Sequence, residues 1–277
     1  MAGKKALCVG VNKYQNLPNA TLHGCVNDVK NMESILTKFM GFAAGDIVEL
    51  TDDQATKTNI MKNLKEMVDG AKAGKYNYLV FSMSSHGTQV PDTSGDEPDR
   101  ADEAFCPTDL IQKGNAWDPD HVIVDDELHD LFVQVPKTVM LECFLDTCHS
   151  GTGLKAIDLL FDRTPRYLPP PSLEAFLKVD GKRSHSLSKS LLESGNSSPI
   201  LWAACRADQT SADANINGTW NGAFTYYLCS EMIKSQNKSS RRDLLNKVRA
   251  DLKKGHYEQT PQLELDATNR GKSVAGS

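Results

Sequence analysis

The sequence predicts an α/β fold with a mostly parallel central sheet and helices on both faces. Short apolar runs alternate with amphipathic segments from the start of the chain, as in folds that wind between strands and helices. The run 138–145 is almost continuously apolar, as expected for a parallel strand covered on both faces. With 277 residues, of which 39% are hydrophobic and 24% are charged, the chain is long enough for one large domain.

The individual elements follow from local periodicity, because strands give short apolar runs and helices repeat every three or four residues. The first half predicts strand, helix, strand, helix and strand, at 6–11, 25–40, 46–50, 58–71 and 78–83. The second half predicts strands at 138–145, 199–204 and 262–265, with helices at 224–234 and 242–252. Parallel strands joined by helices are the arrangement that this order favours.

Reactive residues stand where two of the predicted strands end. Strand 138–145 runs into Cys148 and His149, and strand 78–83 runs into His86. Because the carboxyl ends of parallel strands meet at one edge of a sheet, we expect Cys148 and His86 to lie close together. A catalytic thiolate needs an imidazole that takes its proton, which makes Cys148 the candidate nucleophile and His86 the candidate base. His149 is less suited, since adjacent residues at a strand end point to opposite sides.

The alternative is that Cys148 is an inert core cysteine, which is common at the end of an apolar strand. Its neighbours Thr147, Ser150 and Gly151 are small. Small side chains allow a substrate backbone to approach closely, so they favour the catalytic interpretation.

These motifs resemble those of a known family. The stretch 146–151 (DTCHSG) is similar to the cysteine box of metacaspases, and 84–87 (SSHG) is similar to their histidine box, in the family's order. Ser85 is a departure, because metacaspases usually carry glycine there. The resemblance implies a caspase-like three-layer sandwich and a cysteine endopeptidase that uses His86 and Cys148. It covers most of the chain and extends to 5–12, 24–29, 123–128, 203–212 and 222–225.

The resemblance also implies how the single domain over 1–277 is organised. A large-subunit-like part at 1–160 precedes an exposed connector at 161–197 and a small-subunit-like part at 198–268. Independently of the resemblance, the last residues, 269–277, are predicted to form a disordered tail. The connector contains prolines, serines and scattered basic residues, and exposed loops of this kind are where proteolytic nicking concentrates. The candidate positions for self-processing are Arg163, Arg166, Lys182, Arg183 and Lys189.

An acidic pocket beside the nucleophile is predicted to select basic residues. Asp146 precedes Cys148 by two positions, so both side chains face the same side of the strand. A carboxylate there suits Arg or Lys at the cleavage position, with a bidentate contact available to Arg. The resemblance implies that Cys25, Asp28 and Ser84 line the pocket with Asp146. Alternatively, Asp146 is a structural carboxylate bonded to a neighbouring backbone N–H.

The stretch 92–126 is rich in Asp and Glu, and two interpretations remain open. Charge runs usually form solvated loops. Ca²⁺, however, binds several carboxylate oxygens from flexible segments. The metacaspase resemblance implies a calcium site at Asp102, Asp125 and Asp126, with Asp158 as the best match for a fourth aspartate that normally lies nearer the cysteine box.

Composition narrows the possible compartments and partners. The seven cysteines include no Cys-x-x-Cys pair, which argues against a disulfide framework or a zinc site and fits a reducing, cytoplasmic environment. With a net charge of −5 and no basic stripe, the chain is not expected to bind nucleic acid. No apolar stretch reaches the roughly 18 residues of a membrane span, and no signal-peptide core follows the N-terminus. We therefore expect a monomer without membrane association, whose partners are protein or peptide substrates.

The sequence as a whole favours a calcium-stimulated cysteine endopeptidase that cleaves after Arg or Lys. A second hypothesis is a caspase-fold protein that no longer cleaves and serves as a calcium-responsive interaction module. A thiol phosphatase is disfavoured, because the loop 149–154 after Cys148 lacks the arginine that would hold a phosphate.

Overall fold

The computed structural model describes residues 3–91, 101–149, 162–179 and 199–275. In chain order the strands are β1 (Gly3–Gly10), β2 (Ile47–Thr51), β3 (Tyr76–Ser84), β4 (Gly87–Pro91), β5 (Ala101–Phe105), β6 (Gln112–Lys113), β7 (Ala116–Trp117), β8 (Ile123–Val124), β9 (Met140–Asp146), β10 (Arg163–Pro165), β11 (Ile200–Ala203), β12 (Ala212–Ile216), β13 (Thr219–Gly222) and β14 (Gln262–Glu264). The helices are α1 (Cys25–Phe39), α2 (Lys57–Lys72), α3 (Asp125–Phe132), α4 (Leu173–Val179), α5 (Ala223–Ser235) and α6 (Arg241–Lys254). Each helix and each strand predicted from periodicity is present within a few residues of its expected position.

The central sheet has six strands in the order β14-β11-β9-β3-β1-β2. All neighbours are parallel except β14, which runs antiparallel to β11 at the edge. The register places Ser84, the last residue of β3, beside Asp146, the last residue of β9. The residues that follow these two strands therefore emerge next to each other.

Two apolar cores cover the two faces of the sheet. Helices α2 and α3 pack on one face, and α1, α5 and α6 pack on the other. Successive residues of β1 alternate between the cores, with Leu7 in the first and Cys8 in the second, as the pleat of a strand requires. The predicted three-layer sandwich with a mostly parallel sheet is confirmed. Within the described parts of the chain, none of the helices combines the length and the apolarity needed to cross a membrane.

A buried carboxylate ties α6 to the sheet. Glu142 in β9 is fully buried. It accepts hydrogen bonds from the Tyr78 hydroxyl at 2.7 Å and from Trp202 Nε1 at 2.8 Å. The Arg241 guanidinium donates to both of its oxygens, at 3.0 and 2.9 Å. Because the charge is paired and its lone pairs are occupied, the strand can carry a glutamate in an apolar core.

The described part of the acidic stretch, 101–126, contains regular secondary structure. Strands β4 and β5 form an antiparallel hairpin, in which Val90 pairs with Asp102, and β5 continues into pairing with β8. Asp102 and Asp125 are both buried. The loop interpretation is wrong for β5, since its charged residues share the strand with Ala104 and Phe105, which belong to the core. Residues 92–100 lie outside the described ranges.

The C-terminal residues 269–275 are ordered, which corrects the prediction of a disordered tail there. Val274 is buried, and its carbonyl accepts a hydrogen bond from Asn237 Nδ2 at 2.7 Å. The Lys272 carbonyl accepts from the Arg241 N–H at 2.8 Å. The first N–H groups of a helix have no acceptor within that helix, so the tail provides one at the start of α6.

Candidate active site

His86 lies two residues beyond the end of β3 and is 3% exposed. Its backbone N–H donates to the Tyr14 hydroxyl at 2.9 Å, and its Nε2–H donates to the Ala20 carbonyl at 2.9 Å. This tautomer leaves the lone pair on Nδ1, which has no hydrogen-bond partner in the described part of the chain. Burial lowers the pKa of His86 to about 3. The imidazole is therefore neutral near pH 7 and has a proton acceptor at Nδ1.

Cys148 lies two residues beyond β9 and is 1% exposed. Its thiol donates to the Gln209 carbonyl at 2.6 Å, and the Cys205 thiol donates to the same oxygen at 3.4 Å. The contact with Cys148 and burial both raise the pKa of Cys205. The two thiols thus share one edge of the site, beyond the adjacent ends of β9 and β11.

His149 faces away from this edge. Its Nδ1 lies 3.0 Å from the Ala104 carbonyl oxygen, and its ring meets Phe105 edge-on with 4.7 Å between ring centroids. The His149 ring is therefore packed against β5, and the assignment of His86 as the base stays a prediction.

The carbonyl oxygen of Arg166 lies between the two predicted catalytic residues. It accepts the Gly87 N–H at 3.0 Å and the Cys148 N–H at 3.3 Å. The Arg166 backbone also acts on the ring of His86, whose pKa it raises against the larger, lowering effect of burial. His86, Gly87 and Cys148 therefore surround a single carbonyl group of the chain itself.

We call residues Arg163–Leu168, which carry this carbonyl, the bound segment. Its upstream half, β10, pairs antiparallel with β12, and the Arg166 N–H continues the pairing by donating to the Ser211 carbonyl at 2.9 Å. Downstream, the Leu168 N–H donates to the Gly87 carbonyl at 2.9 Å. The backbone is thus held on both sides of the Arg166–Tyr167 peptide bond.

The Arg166 side chain fills a pocket of carboxylates and is fully buried. Its Nη2 donates to Asp28 Oδ2 at 2.7 Å and to Asp213 Oδ1 at 2.9 Å. Its Nη1 donates to the Asp146 carbonyl at 3.1 Å and lies 3.4 Å from Asp146 Oδ1. Burial raises the pKa of Asp28 to about 7, Arg166 opposes this shift, and the charge of Asp146 adds to it. One guanidinium therefore meets three buried carboxylates.

Asp146 combines the two roles that the sequence left open. Its Oδ1 accepts from the Ser211 hydroxyl at 2.6 Å, and its Oδ2 accepts from the Thr225 N–H and hydroxyl at 3.0 and 2.7 Å. These bonds fix the carboxylate, which still faces Arg166. It is at once a structural acceptor and part of the pocket wall.

The other predicted pocket residues lie in the same place. Ser84 is buried beside Asp146 in the register of the sheet. Cys25 is buried at the start of α1, and its thiol experiences the charges of Arg166 and of the carboxylates around it. Burial raises the pKa of Cys25 above that of an ordinary thiol. The structure thus brings Cys25, Asp28, Ser84 and Asp146 together.

Gly222 completes the pocket. Its N–H donates to Asp28 Oδ1 at 2.9 Å. A Cβ at this position would collide with Asp146 Oδ2, Arg166 Nη1 and Asp28 Oδ2. The guanidinium fits only because residue 222 has no side chain.

Two residues of the pocket were not identified from the sequence. Asp213 holds Arg166 and also accepts the N–H groups of His23 and Gly24, at 2.7 and 3.0 Å. Asp213 lies in β12, and its spacing of two positions from Ser211, which immediately precedes that strand, is a signal that the sequence does contain. Arg166 itself was placed in an exposed connector, and this part of the prediction is wrong, because Arg163 and Arg166 are 8% and 0% exposed. Lys182, Arg183 and Lys189 lie outside the described residues.

The predicted calcium ligands are only partly brought together. Asp102 and Asp126 line one cavity of about 320 Å³, with Trp117 and Val124 among its apolar walls. In the described ranges, no three His, Cys, Asp or Glu side chains are grouped so that they could share a metal ion. Asp158 lies outside these ranges. A complete calcium site would therefore need ligands in addition to the described carboxylates.

The fold belongs to the caspase-like class. The structure is similar to the crystal structure of Caspase-1 from Spodoptera frugiperda, with a TM-score of 0.59 and 12% identity over 95% of this chain and 88% of that one. It is also similar to protein GSU0716 from Geobacter sulfurreducens, with a TM-score of 0.68 and 24% identity over 99% of this chain and 98% of that one.

Sequence similarity defines the family within this class. A family model described as metacaspase, peptidase C14 domain, matches residues 4–157. Metacaspase-1 of Cryptococcus neoformans is 33% identical over 297 aligned positions, which cover 94% of this chain and 62% of the relative. Metacaspase-1A of Aspergillus niger is 32% identical, covering 94% of this chain and 69% of the relative. The chain belongs to the metacaspase family and spans 62% of the length of the first of these relatives.

Proposed function

We propose that the protein is a cysteine endopeptidase that cleaves after arginine, with Cys148 as nucleophile and His86 as base. The observation that carries this proposal is the position of Arg166. Its carbonyl oxygen accepts two N–H groups, from Gly87 and Cys148, while its guanidinium lies among Asp28, Asp146 and Asp213. Two backbone donors on one oxygen are the arrangement that stabilises a tetrahedral oxyanion.

The reaction follows from these positions. The Cys148 thiol rotates away from Gln209 and transfers its proton to Nδ1 of His86, and the thiolate sulfur bonds to the carbonyl carbon. The former carbonyl oxygen becomes an oxyanion held by the N–H groups of Gly87 and Cys148. Its collapse breaks the C–N bond, and His86 returns the proton to the leaving amine. Water then hydrolyses the thioester, with His86 as its base.

Arginine is the side chain that matches this pocket best. Its planar guanidinium donates in several directions at once, which the two Nη atoms of Arg166 do here. A lysine ammonium brings the same charge with fewer directed donors, so we expect slower cleavage after Lys. An aspartate would place a further negative charge among three carboxylates and should not be cleaved.

Self-processing is proposed at the Arg166–Tyr167 bond. Of the two candidate positions that the structure describes, Arg166 is the one whose side chain occupies the carboxylate pocket, whereas the Arg163 guanidinium contacts the carbonyls of Gly255 and His256. Until this bond is cut, the chain's own backbone occupies the cleft that a peptide substrate would use. The extended pairing with β12 is a common way to bind a peptide strand.

The test is intact-mass analysis of the incubated chain together with turnover of peptide substrates. We expect fragments that end at Arg166 and begin at Tyr167, retained but slower cutting in Arg166→Lys, and loss of this cut in Arg166→Gln. Cys148→Ala is the control and should remain whole. An uncut parent that also leaves Arg peptides intact would favour the non-cleaving interaction module. Faster cleavage after Asp than after Arg would contradict the acidic-pocket argument.

Calcium stimulation remains a separate proposal. It is supported by Asp102 and Asp126 on one cavity, beside the hairpin that begins at Gly87. The test is calorimetric titration of the uncut Cys148→Ala chain with calcium, with magnesium as the control ion. We expect calcium binding that is lost in an Asp125→Asn/Asp126→Asn variant. Binding that is unaffected by this change would place the ion elsewhere.

A further inference from the structure

A second arginine of the bound segment, Arg163, is also held by specific contacts with the rest of the chain. The Arg163 guanidinium donates through Nη1 to the His256 carbonyl at 2.8 Å and through Nη2 to the Gly255 carbonyl at 2.7 Å. Its Cζ lies 3.8 Å from the centroid of the Tyr257 ring. The side chain is 8% exposed. Arg163 precedes Arg166 by three positions, so this site would receive the fourth residue upstream of a cut after Arg166.

The residues that follow the C-terminal end of α6 form this site. The Tyr257 N–H donates to the Leu252 carbonyl at 2.9 Å, and the His256 N–H donates to the Lys253 carbonyl at 3.1 Å. His256 has a left-handed backbone, with φ of 58°. This is the Schellman arrangement, in which a left-handed residue closes a helix. It leaves the next two carbonyls, those of Gly255 and His256, directed at Arg163 instead of at the helix.

The electrostatics favour a cation at this position. The carbonyl end of a helix carries a partial negative charge, and the face of a tyrosine ring attracts a guanidinium. The Tyr257 ring is supported from behind by Tyr227, with 6.0 Å between centroids and an interplanar angle of 72°. Burial raises the pKa of Tyr257 to about 12. The ring therefore remains a neutral phenol at any pH at which the protein would work.

We infer that Gly255, His256 and Tyr257 form a second subsite for a basic residue, which selects arginine four residues upstream of the cleaved bond. The inference rests on the proposed cleavage after Arg166, since that bond defines the register. It adds a substrate preference to the carboxylate pocket, namely Arg at both ends of a four-residue stretch such as Arg-Thr-Pro-Arg.

The geometry also distinguishes arginine from lysine at this subsite. A guanidinium can donate to two carbonyls from one plane while the same plane stacks on an aromatic ring. A lysine ammonium has no such plane, so it would lose either the stacking or one hydrogen bond. We expect the order Arg, then Lys, then Ala in the upstream position.

The experiment compares fluorogenic tetrapeptides that differ only in their first residue. The self-processed enzyme is assayed with Arg-Thr-Pro-Arg, Lys-Thr-Pro-Arg and Ala-Thr-Pro-Arg, each with the fluorophore after the last Arg. The combined stacking and hydrogen bonds predict a kcat/KM that is about tenfold or more higher for the first peptide than for the third. Tyr257→Leu should reduce this ratio to about twofold, whereas Tyr257→Phe should keep most of it, because the ring face remains.

The matched control is Tyr226→Leu, which alters a neighbouring tyrosine whose ring packs on Tyr227. Its ratio should equal that of the parent. Because a ratio of two peptides on one enzyme cancels any general loss of folded protein, a structural role of Tyr257 would not change it. Equal kcat/KM for the Arg and Ala peptides overturns the subsite while leaving the proposed function intact. If none of the peptides is cut, the proposed function fails and the subsite fails with it.

Discussion

Replacing Arg166 by glutamine should destabilise the uncut chain strongly. The guanidinium is fully buried and faces Asp28, Asp146 and Asp213. Removing one partner of a buried ion pair leaves the remaining charges unpaired and typically costs about 3–5 kcal/mol. For a chain of this size, each kcal/mol corresponds to about 2–4 °C in Tm, so we expect a fall of about 6–20 °C.

The loss should depend on pH. Burial already raises the pKa of Asp28 to about 7 with Arg166 in place, and removing the guanidinium removes an effect that lowers it. A carboxyl with a raised pKa takes up a proton in the folded state at a pH where the unfolded chain has lost it, so its protonation stabilises the fold below that pKa. The destabilisation in Arg166→Gln should therefore be smaller at pH 5 than at pH 8.

The assay is a thermal melt in the Cys148→Ala background, which prevents self-cleavage from obscuring the comparison. Arg242→Gln is the control, because Arg242 is 71% exposed and its ion pair with Asp243 spans 3.9 Å. Such a surface change usually alters stability by less than about 0.5 kcal/mol. A Tm for Arg166→Gln within about 2 °C of the control would correspond to at most about 1 kcal/mol and would refute the reasoning. It would mean that the bound segment is not part of the folded core.

Three further predictions concern the cleft. Gly222→Ala places a methyl group against Asp28, Asp146 and the bound guanidinium, so kcat/KM for Arg peptides should fall about 10²-fold; a normal rate would show that the pocket adapts. Asp213→Asn removes a buried partner of the guanidinium and should cost about 30-fold or more in kcat/KM, with the exposed Asp208→Asn as an unaffected control. Cys148→Ala should abolish turnover with little change in Tm, and residual turnover by a folded variant would exclude Cys148 as the nucleophile.

Local pattern was sufficient to predict that His86 and Cys148 lie at the same edge of the sheet. The apolar runs of β3 and β9 identify two buried strands, and the parallel sheet brings their ends together. His86 and Cys148 lie within a few residues of those ends, so their positions follow from the strand ends and depend little on contacts that are distant in sequence. The same holds for Asp146, whose position two residues before Cys148 determines which side of the strand it faces.

The position of Arg166 could not be predicted in this way. Asp28, the partner of its guanidinium, lies 138 residues away in sequence, and Asp213 lies 47 away. By composition, the residues around it are those of an exposed loop, because a buried cation is only plausible once its counter-charges are known. The prediction of a disordered tail was wrong for a similar reason, since Val274 is buried against elements that are distant in sequence.

The two subsites that bind arginine should respond differently to pH, and this difference allows their contributions to kcat/KM to be distinguished. Arg166 is held by carboxylates, and burial raises the pKa of Asp28 to about 7, so Asp28 gains a proton and weakens its ion pair as the pH falls through that value. His86, with its pKa lowered to about 3 by burial, stays neutral over this range. The kcat/KM of Arg peptides should therefore decline as the pH falls and Asp28 becomes protonated, and this decline should be absent in Asp28→Asn. Arg163 is held by carbonyls, which do not titrate, and by Tyr257, whose pKa is raised to about 12. Protonation of Asp28 weakens the binding of both peptides alike, so the ratio between Arg-Thr-Pro-Arg and Ala-Thr-Pro-Arg should change much less than either rate between about pH 5.5 and 8.5. A ratio that falls in parallel with the rates would show that a titrating carboxylate, and not the end of α6, holds the upstream arginine.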